Sequence, residues 1–388
     1  MLLSESQLEP SQRGGLTVTL GPAGTVHEVS EAEWSALAKS SGEPNAFLEP
    51  WFLGPAIAYL NDGQAMRIAT GRDVRGELVG LLPLTLQPRY GRIPARHVGN
   101  WAHYQCFMGT PLIAPGQETA FWRALISALD MSDWAEGFLS ISGLLADGPA
   151  HKGLTAAAER EARPAPIVYE HSRAALCSSL SPDLYLETAV RGKKRKEYRR
   201  LANRLSDQGT VTHRTLHDAA DLEQWTEEFL HLEASGWKGE DGAALGNSPE
   251  TDAFFRQMMI GALAAGRLDF KRLDLEGRAI AMLINFLTPP GSWSFKIAYD
   301  ETLARFSPGV LIELENLRAV LENPSVDWMD SCAIENHPMI DRLWMERRRI
   351  VQVSVPLSGK SRRLVYNTCR AAETGSAKLR QLLGREKW

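Results

Sequence analysis

The stretch FKIAYDETLARFSPGVL, residues 295–311, decides how this chain is read. Phe295-Lys296-Ile297-Ala298-Tyr299 has the aromatic and β-branched content of a strand, and it ends on two acids, Asp300 and Glu301. Ser307-Pro308-Gly309 then opens an apolar helical pattern that runs to about Glu322. Ser307 is placed to cap that helix, and Pro308 suits its first position. Strand, polar loop and helix start make a β-α junction. A helix N-terminus carries unsatisfied N–H donors and a positive dipole end, so this junction is also a candidate anion site. Gly309 leaves the backbone approachable and Arg305 adds a cation, although the same residues can simply cap a helix.

Working outward, RLDFKRLDLEGRAIAMLINFL (267–287) reads as a hairpin turning at Glu276-Gly277, with SWSFKIAYD (292–300) as a third consecutive strand. Before it, TVTHRTL (210–216) is strand-like, and DLEQWTEEFLHLEA (221–234) sets Leu222, Trp225, Phe229 and Leu232 at helical spacing. DAFFRQMMIGALAAG (252–266) fits a second helix closed by Gly266, and VDWMDSCA (326–333) a short strand after the helix at 309. The first half repeats this order more faintly: a helix at 30–40, a hairpin of AMRIATGR (65–72) and GELVGLLPLTLQ (76–87), a helix at 119–130 and a strand at 137–142. The Pro- and Ala-rich 145–166 reads as a variable connection. The expected fold class is α+β: two tandem related lobes, 16–178 and 179–356, each a mixed, mostly antiparallel sheet flanked by helices. Residues 1–15 form a loose tail in this reading, and 357–388 a basic helical segment.

With 388 residues, 44% hydrophobic and 23% charged, the chain has the composition of a soluble globular protein. A net charge of −4 gives no whole-chain reason to expect nucleic acid. Cys106, Cys177, Cys332 and Cys369 lie far apart without ligand spacing, so no metal site and no disulfide framework is expected, and reduced thiols suit a cytoplasmic chain. MLLSESQLEPSQRGG lacks the apolar core of a signal peptide, and no apolar run approaches the roughly 18 residues of a membrane span.

The run 295–317, with HLEASGWKG (231–239) upstream, the short strand ending at Asp330 downstream and the basic GKKRKEYRRLANRL (192–205) leading the second half, resembles the CelD/FemAB-type acyltransferases of the GNAT-fold superfamily. The resemblance spans about 30–350 and is clearest over 185–345. It implies two tandem GNAT-like lobes and transfer of an acyl group from acyl-CoA (acetyl-CoA) to an amine, such as an amino sugar in exopolysaccharide or envelope metabolism. The peptidoglycan branch of the family uses aminoacyl-tRNA as donor. In GNAT enzymes the cofactor pyrophosphate rests on backbone amides at this junction, which makes Lys296, Ile297, Arg305, Ser307 and Gly309 the expected cofactor contacts. The loop reads ARFSPG where the superfamily has Q/R-x-x-G-x-G/A, which keeps a different donor, or a non-catalytic scaffold, open as alternatives.

Amine acylation needs a positioned donor and acceptor, a base, and a donor to the thioester oxyanion. Asp300, Glu301 and Glu233 are the candidate bases, and Tyr299 a candidate proton donor to the leaving thiolate. Each has a plain structural alternative: Asp300 a turn cap, Glu301 a solvated acid, Tyr299 an aromatic at the core edge. For the substrate side, Trp237, Lys238, Asp330, His337 and the cluster Trp101, His103 and Tyr104 are candidates, against the alternatives of core rings, solvated charges and hydrogen-bonded turns. FLEPWF (47–52) is open in the same way.

The rival class is nucleic-acid binding, resting on Arg191, Lys193, Lys194, Arg195, Lys196, Arg199, Arg200 and Arg204. Tyr198, Leu201 and Leu205 can dock that helix on the core and leave the basic face solvated, and no groove-reading fold accompanies it. No sequence-specific nucleic-acid partner is expected. A local role fits better: a CoA phosphate, an anionic lipid or glycan surface, or a tRNA acceptor stem.

Overall fold

In the computed structural model, which describes residues 15–236 and 244–382, the chain forms two compact units that interleave in sequence. Unit 1 takes Met1–Leu48, Gly63–His171 and Ile350–Trp388, and unit 2 takes Glu49–Asp62 and Ser172–Arg349. The linear lobes expected at 16–178 and 179–356 therefore differ from these units at three segments, 49–62, 172–178 and 350–356.

Unit 1 orders its strands β1 (Thr17–Pro22), β2 (Met66–Arg72), β3 (Leu78–Gln87), β4 (His97–Asn100), β6 (Phe138–Leu145) and β13 (Glu346–Pro356), with β5 (Leu112–Ile113) beside β3. All neighbours are antiparallel except β4 and β6, which run parallel. The parallel pair is joined through α3 (Glu118–Met131), whose Phe121, Trp122, Leu125 and Leu129 are fully buried in the unit's core. Each such side chain contributes about 1.5–3 kcal/mol through burial. Gly71 and Gly80 leave the room Phe121 occupies: a Cβ on them would lie 2.8 and 2.2 Å from its ring. The capping box of Ser30 and Glu33 starts α1 (Glu31–Ser40).

The segment 145–166, expected as irregular, contains helix α4 (Pro149–Arg160). Pro149 sits in its first turn, where no N–H is needed, and the alanines are helix formers with Leu154, Ala157 and Ala158 buried. The basic C-terminal segment is helix α10 (Lys360–Leu382), seated through Tyr366 and Cys369 against Tyr90 and Phe138.

Unit 2 repeats the plan. β8 (Val211–Thr215), β9 (Leu268–Leu275), β10 (Arg278–Thr288) and β11 (Gly291–Tyr299) form an antiparallel meander. β12 (Trp328–Asp330) then adds parallel to β11, and β7 (Ile167–Leu176) pairs with β12 through Ala175 and Leu176. Helices α7 (Leu222–Ala234) and α8 (Pro249–Ala264) lie between β8 and β9 in the chain, and α9 (Pro308–Glu322) links β11 to β12. α5 (Pro182–Ala189) and α6 (Gly192–Ser206) lead the unit.

Helix α2 (Pro50–Leu60) belongs to unit 2 because its rings are buried there. Phe52 meets Phe254, Phe286 and Phe295 edge-on, Trp51 meets Phe286 at 4.8 Å, and Glu49 pairs with Arg267 at 3.0 Å. Within each unit, then, an antiparallel meander ends in a strand, a helix and a parallel strand, the two-lobed GNAT-like architecture that the resemblance implies.

Candidate active site

The opening stretch lies where β11 and β12 separate. Their pairing covers Gly291↔Trp328, Ser292↔Met329 and Trp293↔Asp330, after which β12 ends and β11 continues to Tyr299. A β-bulge falls at the same place: Asn285 pairs with Ser294 and Ile284 with Lys296, so Phe295 is the extra residue. Bulges bend a strand and re-aim its side chains, and they recur beside active sites. The burial changes with the geometry. Gly291 to Phe295 are buried, whereas Lys296, Ile297 and Tyr299 are half-buried.

Asp300 turns the chain. Its carboxylate accepts from the Thr302 backbone N–H at 2.9 Å, the Thr302 hydroxyl at 2.5 Å and Arg278 at 2.8 Å. Burial pushes its pKa up, but the bonds from Thr302 and Arg278 outweigh this and hold it below the usual carboxylate range. A carboxylate so engaged is a poor base, and the geometry favours the turn-cap reading. Ser307 stands at the N-cap position of α9 but makes no side-chain cap bond, because it adopts a left-handed φ of 54°. Its carbonyl takes the N–H groups of Val310 and Leu311 at 2.9 and 3.1 Å instead. Pro308 has no N–H, which leaves that of Gly309 as the helix-opening donor. Nor is Gly309 open in the way its sequence suggests. A Cβ there would lie 3.1 Å from Tyr299 Cδ1 and 3.7 Å from Ile297 Cδ1, so the missing side chain lets α9 close onto β11. Arg305 and Arg204 both lie over the Phe306 ring, at 4.8 and 5.7 Å from its centroid.

Behind β11, Glu233 at the end of α7 is buried, accepts from the Leu245 N–H at 2.9 Å and pairs with Lys296 Nζ at 3.5 Å. It ties the residues after α7 to the bulged strand, and breaking such a buried pair costs about 3–5 kcal/mol. Glu301 is exposed and close to Gly236, where a Cβ would meet its Oε1 at 2.7 Å. Trp237 and Lys238 lie outside the described residues. Asp330 is fully buried and paired with Arg173 at 2.7 Å and Arg348 at 3.4 Å, so its carboxylate is committed inside the unit. His337 uses Nδ1 to accept from the Met339 and Ile340 N–H groups, which fixes the turn that follows.

The sequence reading missed Glu313. It lies one turn below Gly309 on the inner face of α9, with Asn316 Nδ2 3.1 Å from its carboxylate. Asn316 continues to Asn285 on β10 at 2.8 Å, Asn285 to Asp269 at 2.9 Å, and Asp269 to Lys271 at 3.0 Å. Burial pushes Glu313 up to about 8, and Asn316 and the Lys271 charge offset this only in part. A signal was present: Glu313 and Asn316 interrupt the apolar stripe of Gly309, Ile312, Leu317 and Val320.

Unit 1 offers a comparison at its own strand–helix–strand junction. β4 and β6 pair at Val98↔Leu139 and Gly99↔Ser140. Beyond that, Asn100 binds the Ser142 backbone at both its N–H (2.9 Å) and its carbonyl (3.2 Å), and Gly109 donates to the Gly143 carbonyl at 3.0 Å. A Cβ on Gly109 would lie 2.0 Å from the Ser142 oxygen. The gap in this unit is thus filled by its own chain. Trp101, His103 and Tyr104 sit together just after β4. Trp101 is buried against His103 (4.9 Å), and burial brings the His103 imidazole down to about 4. Tyr104 is 97% exposed. The buried Trp101 Nε1 and Gln105 Oε1 have no hydrogen-bond partner among the described residues.

Helix α6 buries Leu201 and Leu205 and carries its charge on the other side. At 100° per residue, Lys193, Lys196, Arg199, Arg200 and Arg204 fall in one arc of about 140°, with Lys196 and Arg199 opposite the buried pair and Lys193 and Arg204 at the edge nearer Leu201. Its first turn holds no acid, and Arg191 occupies the N-cap. Cations at a helix N-terminus cost about 0.3–1 kcal/mol each, and like charges at i,i+4 about 0.2–0.5 kcal/mol. The stripe works against the helix that bears it.

Residues 192–337 match the family model described as an acetyltransferase (GNAT) domain. No curated protein matches the sequence. Among solved structures, a conserved protein of unknown function from Bacteroides thetaiotaomicron is similar at 12% identity, with a TM-score of 0.54 over 84% of this chain and 98% of that one. FemX is similar at 9% identity and a TM-score of 0.54 (84% and 96%), and L-PGS from Bacillus licheniformis at 12% and 0.52 (88% and 96%). At these identities the likeness is one of fold. Among the described residues, no helix is long and apolar enough to cross a membrane and no acid, histidine or cysteine cluster could hold a metal. Residues 192–337 thus form an acetyltransferase (GNAT) domain, the signature of an acyltransferase, set in a chain whose fold is similar to that of these structures.

Proposed function

We propose that the protein moves an acyl group from an acyl thioester, acyl-CoA (acetyl-CoA) in the simplest case, to an amine acceptor, and that the donor binds at the β11–α9 junction of unit 2. The observation that carries this reading is the parting of β11 from β12 at the bulged Phe295, set against the filled junction of unit 1. The half-buried Lys296, Ile297 and Tyr299 lie beyond the parting and would line the thioester arm. Gly309 N–H, at the positive end of α9, and the exposed Arg305 would receive the donor's pyrophosphate.

In the reaction the amine nitrogen attacks the thioester carbonyl, the C–N bond forms, the C–S bond breaks, and the thiolate leaves with a proton. Tyr299 is the group assigned to supply that proton. Glu301, the exposed acid of the three considered, is assigned to take one from the amine. Glu233 and Lys296 hold the strand, and Asp300 holds the turn. Water-free positioning of the two reactants supplies the larger part of the acceleration. An amino sugar or similar amine is the acceptor class. An acyl-thioester pool of this kind sets the reaction in the cytoplasm.

Thermal unfolding with acetyl-CoA and longer acyl-CoAs tests the donor. Ligand at a hundredfold excess over Kd stabilises by about 2.7 kcal/mol, a rise in midpoint that is easily read. No rise with any acyl-CoA, together with no amide formed from a panel of amines, would rule the reading out.

A further inference from the structure

We infer that the basic stripe of α6 docks an acidic carrier protein, one that bears its acyl group as a thioester on a flexible phosphopantetheine arm. This rests on the donor site proposed above and names the form in which the donor arrives. Lys193, Lys196, Arg200 and Arg204 recur once per turn over about 16 Å of helix, with Arg199 beside them. All of them are exposed. The nearest acid, Glu197, is paired with Lys194 at 2.9 Å. Since Lys193 and Lys196 oppose the helix dipole and the cations of the stripe repel one another, their placement answers to something other than the stability of α6.

The stripe also has a direction. Its last member, Arg204, lies over Phe306, and on the same ring lies Arg305 of the donor junction. A partner laid along α6 would therefore end at the loop where β11 and α9 meet, within reach of a flexible arm. The charge pattern selects the partner. One cation per turn matches one carboxylate per turn on a facing helix. The arc, completed by Asn203, holds no aromatic ring for a nucleic-acid base to stack on and no apolar side chain to enter a bilayer.

The chemistry is unchanged by the carrier: the acceptor nitrogen takes the acyl group, the C–S bond to the carrier's arm breaks, and the arm leaves as the thiol with the proton the amine gives up.

The test offers the full-length protein the same acyl group on CoA and on an acidic acyl carrier protein, and compares kcat/KM in the wild type and in Lys196→Glu/Arg200→Glu. Circular dichroism confirms that the variant is folded, and Arg199→Glu serves as an independent second variant. Transfer from the carrier should fall at least about tenfold in the double variant and fall with added salt, while transfer from acyl-CoA stays within about twofold. Use of acyl-CoA but not of the carrier overturns the inference and spares the donor site. So does an unchanged carrier rate in both variants. Binding of tRNA or of phosphatidylglycerol vesicles that the double variant abolishes, with no carrier binding, assigns the stripe to those partners and equally overturns it. If the wild type uses neither donor, the acyl-thioester reading fails and takes this inference with it.

Discussion

Replacing Glu313 with Gln isolates one buried charge and gives the stability of unit 2 a pH signature. The carboxyl is raised from an ordinary 4.5 to about 8, chiefly by burial. Between those values the unfolded chain has released the proton and the folded chain has kept it. Stability is therefore fully present below pH 4.5 and falls by about 1.4 kcal/mol for each pH unit above it. By pH 7 the loss is roughly 3 kcal/mol, and it levels off above pH 8 at roughly 5 kcal/mol. Gln at this position keeps an oxygen for Asn316 Nδ2, now at 3.1 Å from the carboxylate, and cannot ionise. Its stability should lack that slope. The assay is urea unfolding at pH 5, 7 and 9, with hydrogen exchange of the α9 amides locating the effect in unit 2. Every other titrating group is common to the two proteins, so the difference between them is the quantity to read. Parallel pH profiles, or a Glu313→Gln protein less stable than wild type at pH 9, would refute the buried-charge account.

Gly109→Ala forces a Cβ to within 2.0 Å of the Ser142 oxygen, and the thermal midpoint of unit 1 should fall by the equivalent of about 1–3 kcal/mol; a wild-type midpoint would mean the gap is not filled as described. Lys296→Met removes the cation 3.5 Å from buried Glu233, and chemical denaturation should show a loss of about 3–5 kcal/mol, with Glu233→Gln in the same background recovering part of it. Asp300→Ala should cost about 1 kcal/mol as a lost turn cap and lower acyl transfer by less than about tenfold; a far larger drop would restore Asp300 as the base. Glu301→Gln should instead lower kcat by about 10²–10⁴-fold with an unchanged melting curve, and an unaffected kcat would remove Glu301 from the mechanism.

The elements around residues 295–311 were legible because their signals are local. β-branched and aromatic residues mark β11, Glu276-Gly277 sits at positive φ in the hairpin turn, and Gly266 ends α8 at φ 66°. Helix α2 was not legible, since Gly54 and Pro55 inside it read as breakers and its partners, Phe254 and Phe286, are some 200 positions away in the chain. The same distance hid the placement of 49–62 in unit 2. Among the site residues, sequence could name Asp300 without choosing between cap and base. That choice depends on Arg278, which reaches it from the neighbouring strand. Ser307 shows the reverse case: an S-P-G helix start has the composition of a capped helix, yet the φ of Ser307 turns its hydroxyl away from the bond.

The two units hold one structural idea in two states, and the contrast says more than either alone. In both, an antiparallel meander ends on a strand that meets its parallel neighbour for only two or three residue pairs. A parallel pair so short leaves backbone groups beyond it to be satisfied by something else. In unit 1 the chain provides for them itself: the Asn100 amide copies a ladder pair on Ser142, and Gly109, lacking a side chain, comes close enough to bond Gly143. The last position of β11 in unit 2 is Tyr299, a ring folded against Gly309, which cannot make the two bonds that Asn100 makes. The bulge at Phe295 then turns the strand where its neighbour departs. If the donor binds at the β11–α9 junction as proposed, a filled junction in unit 1 and a parted one in unit 2 leave one donor site per molecule. Titration with a tight-binding acyl-CoA should accordingly saturate at one equivalent, and two equivalents would show that unit 1 opens.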